Sequence, residues 1–498
     1  MTVQEAVNKL DELELKEFAL GHAMGILSYD GATAAPKKSY IPRGKTMGYL
    51  AGEAYKLTTD KSAVAILDTL RSHADELDGD TLRRLELREK SLKEMRAVPI
   101  EQYVEYTELM NDADSAWHEA KEKSEYAIFE PYLRRVIDFT KLFAEKVNPD
   151  IAPYDYCLDK YEEGLNMQKA EAFFSALRER IVPLIAKVGA AEAPDESVTK
   201  VLFPIEKQRA LSDILMARLG LPRDRCSIGE TEHPFTTNFT PDDVRITTHY
   251  HETSFLSSMY SVIHEGGHAL YELGVDPKFS FTCLSGGVSM GIHESQSRFF
   301  ENIVGRSRGF IENLYPDLVR LCPEIGRYTA QDIYRAANKA QPSLIRTEAD
   351  EVTYPLHIMV RYEMEKRMIN GEVNTAELPD MWNALYKEYL GVTVPNDREG
   401  ILQDSHWSGA GIGYFPSYAL GSAYGAQYLA KMHEEMDVDA VVASGDLAPV
   451  RAWLGERIWR YGSSKSPEWI LRNALGAPFD PGYYLDYLEN KMKDVYGI

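Results

Sequence analysis

The stretch Met259–Leu273, MYSVIHEGGHALYEL, constrains this chain more than any other, because it sets His264, Glu265 and His268 in the pattern H-E-x-x-H. On an α-helix, residues four apart lie about 6 Å along the axis and only ~40° around it, so the two imidazoles share one face. Such a pair can converge on one divalent cation at about 2.0–2.1 Å and leave its other positions open. Glu265, beside the first imidazole, then projects toward the open side, where it can take a proton from water polarised by the cation. Ser257 and Ser258 are available to cap the helix start. Met259, Val262, Ile263, Ala269, Leu270 and Leu273 supply apolar faces, and Gly274 stands where a helix stop belongs. Gly266 and Gly267 run against this pattern, since each costs a helix interior about 1 kcal/mol relative to Ala. Two glycines side by side therefore predict a close approach to the helix backbone. The alternative is a core helix whose histidines are satisfied by hydrogen bonds.

A zinc site with an open position has three protein ligands, so a third donor is expected from a neighbouring helix. Glu294, in HESQSR (His293–Arg298), is placed for it: a helical pattern resumes there after the Gly-rich stretch Ser285–Gly291. Two neutral imidazoles and one carboxylate leave Zn²⁺ with a net positive charge. It then remains a good Lewis acid, and water on it ionises at about pH 7 instead of ~15.7. The alternative for Glu294 is a helix N-terminal carboxylate favoured by the macrodipole. Glu272, one turn past His268, is a candidate acceptor for an imidazole N–H, with a surface role as the alternative.

Composition narrows what such a site can serve. At 498 residues and 44% hydrophobic, the chain can bury a large core. A net charge of −22 repels nucleic acid and anionic membrane, which excludes both as partners. The four cysteines (Cys157, Cys226, Cys283, Cys322) form no C-x-x-C pair, which fits a reducing compartment and no cysteine-built metal site. The N-terminus, MTVQEAVNKLDELELKEF, lacks a basic n-region and an apolar h-region, and no apolar run is long enough to span a bilayer. A soluble, cytoplasmic protein is expected.

Most of the chain reads as helix. Thr81–Arg96 is a charged helical run. Tyr103, Tyr106, Met110, Ala113 and Trp117 form an apolar stripe, and Pro131–Val147 carries another through Leu133, Val136, Ile137 and Phe143. Helical patterns return at 168–187, 206–219, 259–273, 294–304, 330–340, 354–369, 376–390 and 417–433, with shorter helices over 449–496. Ala186–Val198 reads mostly as a loop, and Glu232–Phe255, rich in Thr and aromatics, as a small antiparallel hairpin. With no repeat and no long linker, residues 1–498 are expected to form a single domain: a mostly α body with a cleft.

Six short strings now carry a resemblance. They are His233-Pro234-Phe235; Asp243, Arg245 and Thr247 as D-x-R-x-T; HEGGH; His293-Glu294-Ser295-Gln296; Ile345, Arg346, Ala349 and Asp350 as I-R-x-x-A-D; and Gly400, Gln403, Asp404, His406 and Trp407 as G-x-x-Q-D-x-H-W. In this order they resemble the carboxypeptidase Taq family of metallocarboxypeptidases over most of the chain. The resemblance implies two helical lobes around a deep groove with a short sheet at its rim, a homodimer, and one zinc per subunit, replaceable by cobalt. It also implies release of single residues from peptides with a free C-terminus, with broad preference and poor action at proline. Ser28-Tyr29-Asp30 departs from the Trp-Asp that family members often show in the N-terminal segment.

A carboxypeptidase must hold a free α-carboxylate, and the planar fork of Arg suits that through two charge-assisted hydrogen bonds. Arg346 is the first candidate, with an ion pair to Glu348 or Asp350 as its alternative. Arg245 is the second, unless it pairs with Asp243. The oxyanion of amide hydrolysis needs a donor, for which His406, Tyr414 and Tyr418 are candidates. The run Gly409–Gly413 would let their segment bend toward the metal. His233 is expected on the groove wall, limiting substrate length. His249, His251 and His357 are assigned no role beyond structure.

Overall fold

The charged and apolar-striped runs of the sequence become twenty α-helices, joined by 3₁₀ turns and interrupted once by a three-stranded sheet; the computed structural model describes residues 1–498. The fold is mostly α, as expected. The helices Ile100–Lys123 and Tyr126–Val147 pack their stripes together, burying Leu109, Ala113 and Trp117 on one and Phe129, Leu133 and Val136 on the other. Tyr103, the first residue of the expected stripe, is exposed, and the second helix begins five residues before Pro131. The loop read over Ala186–Val198 starts only after Ala190, where the helix Met167–Ala190 ends.

Two apolar cores result. A small one joins the N-terminal helices through Ala6, Leu10, Ile66, Leu67, Leu70 and Leu85, flanked by the ion pair of Arg84 with the buried Glu14 (Nε–Oε2 2.9 Å). The large one runs continuously from Leu109 to Val495. No helix is long and apolar enough to cross a membrane.

The sheet is mixed. The expected hairpin is present as β2 (Thr236–Thr240) antiparallel to β3 (Asp243–Thr248), with a bulge between Asn238 and Thr240. A third strand that the sequence pattern does not announce, β1 (Cys226–Glu230), pairs parallel to β3 on its other side. The N-terminal helix Val3–Thr33 leans on this sheet, with His22 stacked on Phe239 at 4.6 Å.

Against the sheet lies the central helix, Phe255–Gly274, which carries HEGGH and is buried on nearly every side. It starts one turn earlier than expected, so Ser257 and Ser258 sit inside it instead of capping it. Ser258 Oγ donates to Gln208 Oε1 (2.7 Å), and Ser257 Oγ pairs with His249 Nε2 (2.7 Å). The paired glycines are explained by helix crossings. A Cβ at Gly267 would lie 2.6 Å from Gln296 O and 2.7 Å from Ser297 Cα, and one at Gly266 would lie 2.6 Å from Leu219 Cδ1. Gln296 and Ser297 belong to the crossing helix Met290–Arg298, which continues as a π-turn, Phe299–Gly305, where one uninterrupted helix was expected. The helix Pro416–His433 approaches from the other side, where a Cβ at Gly421 would lie 2.7 Å from Glu294 Cβ. Three backbones are thereby drawn together around Glu294.

Candidate metal centre

The central helix presents His264 and His268 four residues apart, with ring centroids 5.0 Å apart. The crossing helix is held at its start by Ser289 Oγ, which accepts from Ile292 N (3.1 Å), and by the buried Glu162 carboxylate, which accepts from Gly291 N (2.9 Å). One turn on, Glu294 Oε2 comes within 3.8 Å of His264 Nε2 and 3.4 Å of His268 Nε2. Ligands at 2.0–2.2 Å around a tetrahedral ion are separated by ~3.4 Å, so these three donors already sit near the edges of such a tetrahedron. They form the one group of His, Cys, Asp or Glu donors close enough together to hold a metal ion.

Both imidazoles have their other nitrogen engaged, which leaves Nε2 for a metal. His264 Nδ1 donates to Glu301 Oε2 (2.8 Å), and Glu301 is held in turn by Arg306 (Nη2–Oε1 3.0 Å). His268 Nδ1 lies 2.6 Å from His293 Nδ1, and His293 Nε2 lies 2.7 Å from Glu272 Oε1. That chain is satisfied when His268 donates to His293 and His293 donates to Glu272. Glu272 thus accepts an imidazole N–H, but from His293 and not from a residue of the triad. Asn238 Nδ2 and Gly287 N also donate to it, at 2.6 and 3.0 Å. Such outer partners fix the tautomer and ring orientation of a ligating histidine.

Electrostatics separates the two imidazoles. Burial opposes a charge on His264, but Glu294 and Glu301 outweigh it and lift its pKa to about 9. Burial, with His293 and His264 beside it, drives His268 down to about 3 despite Glu294. Burial also works against the charge on Glu294, yet Arg298 (Nε–Oε1 2.7 Å) and the imidazoles hold it well below the usual carboxylate range. Glu265 goes the other way: burial raises its pKa, with His264 and a hydrogen bond from Thr236 Oγ1 to Oε2 (2.6 Å) restraining the rise. Thr236 and Asn238 point from the same face of β2, so the edge strand orients Glu265 with one residue and Glu272 with the other.

These groups open into a cleft of about 660 Å³, lined also by Pro234, Phe235, Tyr414 and Tyr418. The two tyrosine rings meet edge to face at 5.0 Å. His406 stands behind Tyr418, with Nε2 3.2 Å from its hydroxyl and Nδ1 buried without a partner. Burial and the nearby guanidinium groups lower its pKa to about 4. The glycine run preceding Tyr414 makes its close approach to Cys157: a Cβ at Gly413, whose φ is +91°, would collide with the Cys157 carbonyl oxygen.

Arg346 is buried on the far side of Tyr418, 5.2 Å from the ring centroid. It pairs with neither Glu348 nor Asp350: Nε and Nη2 donate to Asp404 Oδ1 (3.0 and 2.8 Å), and Nη1 donates to Tyr354 OH (3.1 Å). Arg361 Nε donates to the other oxygen of Asp404 (2.7 Å). Arg245 makes the bidentate pair with Asp243 (2.8 and 2.8 Å) and lies over Tyr29, the residue of the N-terminal departure. His233 is exposed in the turn before β2, while Pro234 and Phe235 beside it form the cleft wall. Sequence reasoning missed Thr236, Glu301, Arg298 and the bridging role of His293. Of these, Arg298 and Glu301 left readable signals, standing four and seven residues after Glu294 and so on its face of a helix.

Known proteins resemble this chain over nearly its whole length. A profile of the carboxypeptidase Taq (M32) metallopeptidase family matches residues 10–492. Carboxypeptidase 1 of Bacillus subtilis is 40% identical over 477 residues, covering 95% of each chain. Thermostable carboxypeptidase 1 of Pyrococcus furiosus is 37% identical, covering 95% of this chain and 96% of its own. The crystal structure of an M32 carboxypeptidase from Deinococcus radiodurans superposes with a TM-score of 0.96 at 34% identity, over 99% of this chain and 100% of that one. The chain is therefore a metallocarboxypeptidase, a peptide hydrolase that belongs to the carboxypeptidase Taq (M32) family.

Proposed function

We propose that the metal is zinc, held by His264, His268 and Glu294, and that the enzyme removes single residues from the free C-termini of peptides. The observation that carries this reading is the convergence of two Nε2 atoms and one carboxylate oxygen, with both Nδ1 atoms already engaged. Two nitrogens and one oxygen suit Zn²⁺, and cobalt as a substitute falls within the same donor preference. When bound, the cation supplies Lewis-acid polarisation of the scissile carbonyl and lowers the pKa of water.

The remaining work falls to side chains. Glu265, restrained by Thr236 and raised toward neutrality by burial, accepts the proton of the attacking water and returns it to the leaving amide nitrogen. Tyr414 or Tyr418, with His406 behind the latter, donates to the developing oxyanion. Arg346 and Arg361 share the single carboxylate of Asp404, so that cluster carries one uncompensated positive charge behind Tyr418. A peptide α-carboxylate entering the cleft completes the pairing, with Arg346 as its anchor. The wall at Pro234 and Phe235, with His233 at its rim, sets how much peptide can lie beyond the cut. Broad side-chain preference, poor action at proline, the homodimer and the cytoplasmic setting belong to the same proposal.

One unblocked peptide and its C-terminally amidated twin, each followed by mass over time, test it. Stepwise loss of single residues from the free peptide is expected. The amidated twin should react slower by on the order of 100-fold or more, because a buried charged group is then left unpaired. Equal cleavage of both would remove the carboxylate anchor from the account.

A further inference from the structure

The helix that carries Glu294 does not run straight on to Arg306. From Phe299 to Gly305 it widens into a π-turn, every residue of which is buried, and Glu301 stands inside it. Such turns change which amide serves which carbonyl. Here Arg306 N reaches back five residues to Glu301 O (3.0 Å), and Ser307 N closes on Val304 O (3.0 Å). Neither of the two amides that would ordinarily serve Asn302 O is left for it. A buried carbonyl without a donor is costly, so the turn needs help from outside.

The C-terminal helix Gly482–Tyr496 provides that help. Lys491 Nζ donates to Asn302 O at 3.0 Å, and Tyr487 OH lies 3.2 Å from the same oxygen. Lys491 is itself buried, and its ammonium is also bound by Glu351 Oε2 (2.6 Å) and Tyr487 OH (3.0 Å). Burying an ammonium is costly, and the ion pair with Glu351 offsets that cost. The carbonyl of Asn302, which the turn leaves without a backbone donor, is the other partner the ammonium serves.

We propose that Lys491 is a positioning residue for the metal centre: it stabilises the π-turn, and through the turn the aim of Glu301 at His264. Relaxation of the turn to regular helix would rotate the residues on its two sides relative to each other by up to ~100°. Glu301 is held between His264 Nδ1 (2.8 Å) and Arg306 Nη2 (3.0 Å), and both contacts depend on that register. Loss of the turn would take the outer acceptor from one of the three ligands.

The inference rests on metal binding at His264, His268 and Glu294, and its test separates the two ideas. Zinc affinity is measured on the full chain by chelator competition, beside the melting temperature of the metal-free protein. Lys491→Met is expected to weaken zinc binding by about 10–100-fold, the usual effect of losing an outer partner of a ligand. Leu488→Ala, an apolar truncation on the same helix, is expected to lower the melting temperature and leave zinc affinity within ~3-fold. Should the Lys491 variant fail to fold, Tyr487→Phe removes a single donor from the same carbonyl and is expected to weaken binding by ~3–10-fold. Zinc bound as tightly by Lys491→Met, or in its place Tyr487→Phe, as by the wild type would overturn the inference. So would an equal loss in Leu488→Ala. Wild-type protein that bound no zinc would instead overturn the metal assignment beneath it.

Discussion

Gly267→Ala tests whether the helix crossing sets the metal geometry. The added Cβ would fall 2.6 Å from Gln296 O and 2.7 Å from Ser297 Cα, both backbone atoms with no rotamer to change, whereas ordinary contact begins at 3.4 Å. Relief therefore requires the central and crossing helices to separate by at least ~0.7 Å. His264 and His268 ride one of these helices and Glu294 the other, so the displacement falls on the ligand distances. Metal sites tolerate about ±0.2 Å. Overpacking costs ~1–3 kcal/mol, and removing a glycine from a helix interior returns about 1 kcal/mol, so the net loss of stability should be only ~0–2 kcal/mol. Zinc affinity should fall by about 10–100-fold or more. Gly266→Ala is the internal control: its Cβ would meet Leu219 Cδ1 at 2.6 Å, the end of a side chain that can turn away. That variant should keep zinc affinity and stay within ~1 kcal/mol of wild type. Chelator competition and denaturant unfolding of both metal-free variants provide the readouts. Wild-type zinc affinity in Gly267→Ala, or equal losses in the two variants, would refute the reasoning.

Two further predictions concern carboxylates. Glu265→Gln should keep its metal but lose turnover by about 10²–10⁴-fold, the contribution of a positioned base; near-normal peptide hydrolysis would remove Glu265 from that role. Glu365 is fully buried, and burial lifts its pKa to about 7 despite donors from Trp407 Nε1 (2.9 Å), Gly413 N (2.9 Å) and Tyr154 OH (3.0 Å). Between 4.5, its ordinary value, and about 7, the folded protein keeps a proton that the unfolded chain releases, so this group's contribution to stability is full below 4.5 and is lost as pH rises to 7. The loss is up to about 3 kcal/mol. Relative to Glu365→Gln, wild type should therefore weaken as pH rises from 5 to 8, and parallel stability curves would contradict the account.

How much of the molecule is legible in its sequence depends on the kind of signal each feature leaves. His264, Glu265 and His268 are local, with helical periodicity around them, so the common face of the two imidazoles and the place of Glu265 beside it follow from spacing alone. Glu294 is legible because a helix restarts around it after a glycine-rich turn. Gly266 and Gly267 announce a close approach, but not whether a ligand or a helix makes it; Gln296 and Leu219 are the answer. Thr236 reaches Glu265 across 29 residues, and nothing in a Thr-rich strand says which threonine faces the helix. β1 is invisible for a similar reason: Cys-Ser-Ile-Gly-Glu carries only two apolar residues, too short a run to announce a strand, and its pairing partner lies beyond an intervening strand. The fork of Arg346 shows a further limit. Its chemistry suits a carboxylate, and the sequence offers acids two and four residues away, yet the acid it meets is Asp404, brought in by tertiary packing.

The charges around the triad suit a doubly charged cation at the proposed site. Glu294 and Glu301 are matched by Arg298 and Arg306, which lie against them. Glu265 and Glu272 have no guanidinium or ammonium against them: the first is held by a threonine hydroxyl, the second by an amide, a backbone N–H and the His293 imidazole. When all four carboxylates are ionised, the pocket carries two negative charges that the protein does not cancel, in surroundings where water is largely displaced. Against its burial, Glu294 and Glu301 drive His264 up to about 9, whereas burial first, and these carboxylates only after it, raise Glu265. A divalent cation held as proposed by the two Nε2 atoms and Glu294 would compete with protons for the same negative charge. The two guanidinium groups therefore do more than hold carboxylates in place. They leave Glu265 without a guanidinium partner, and burial raises its pKa, which readies it to take up a proton.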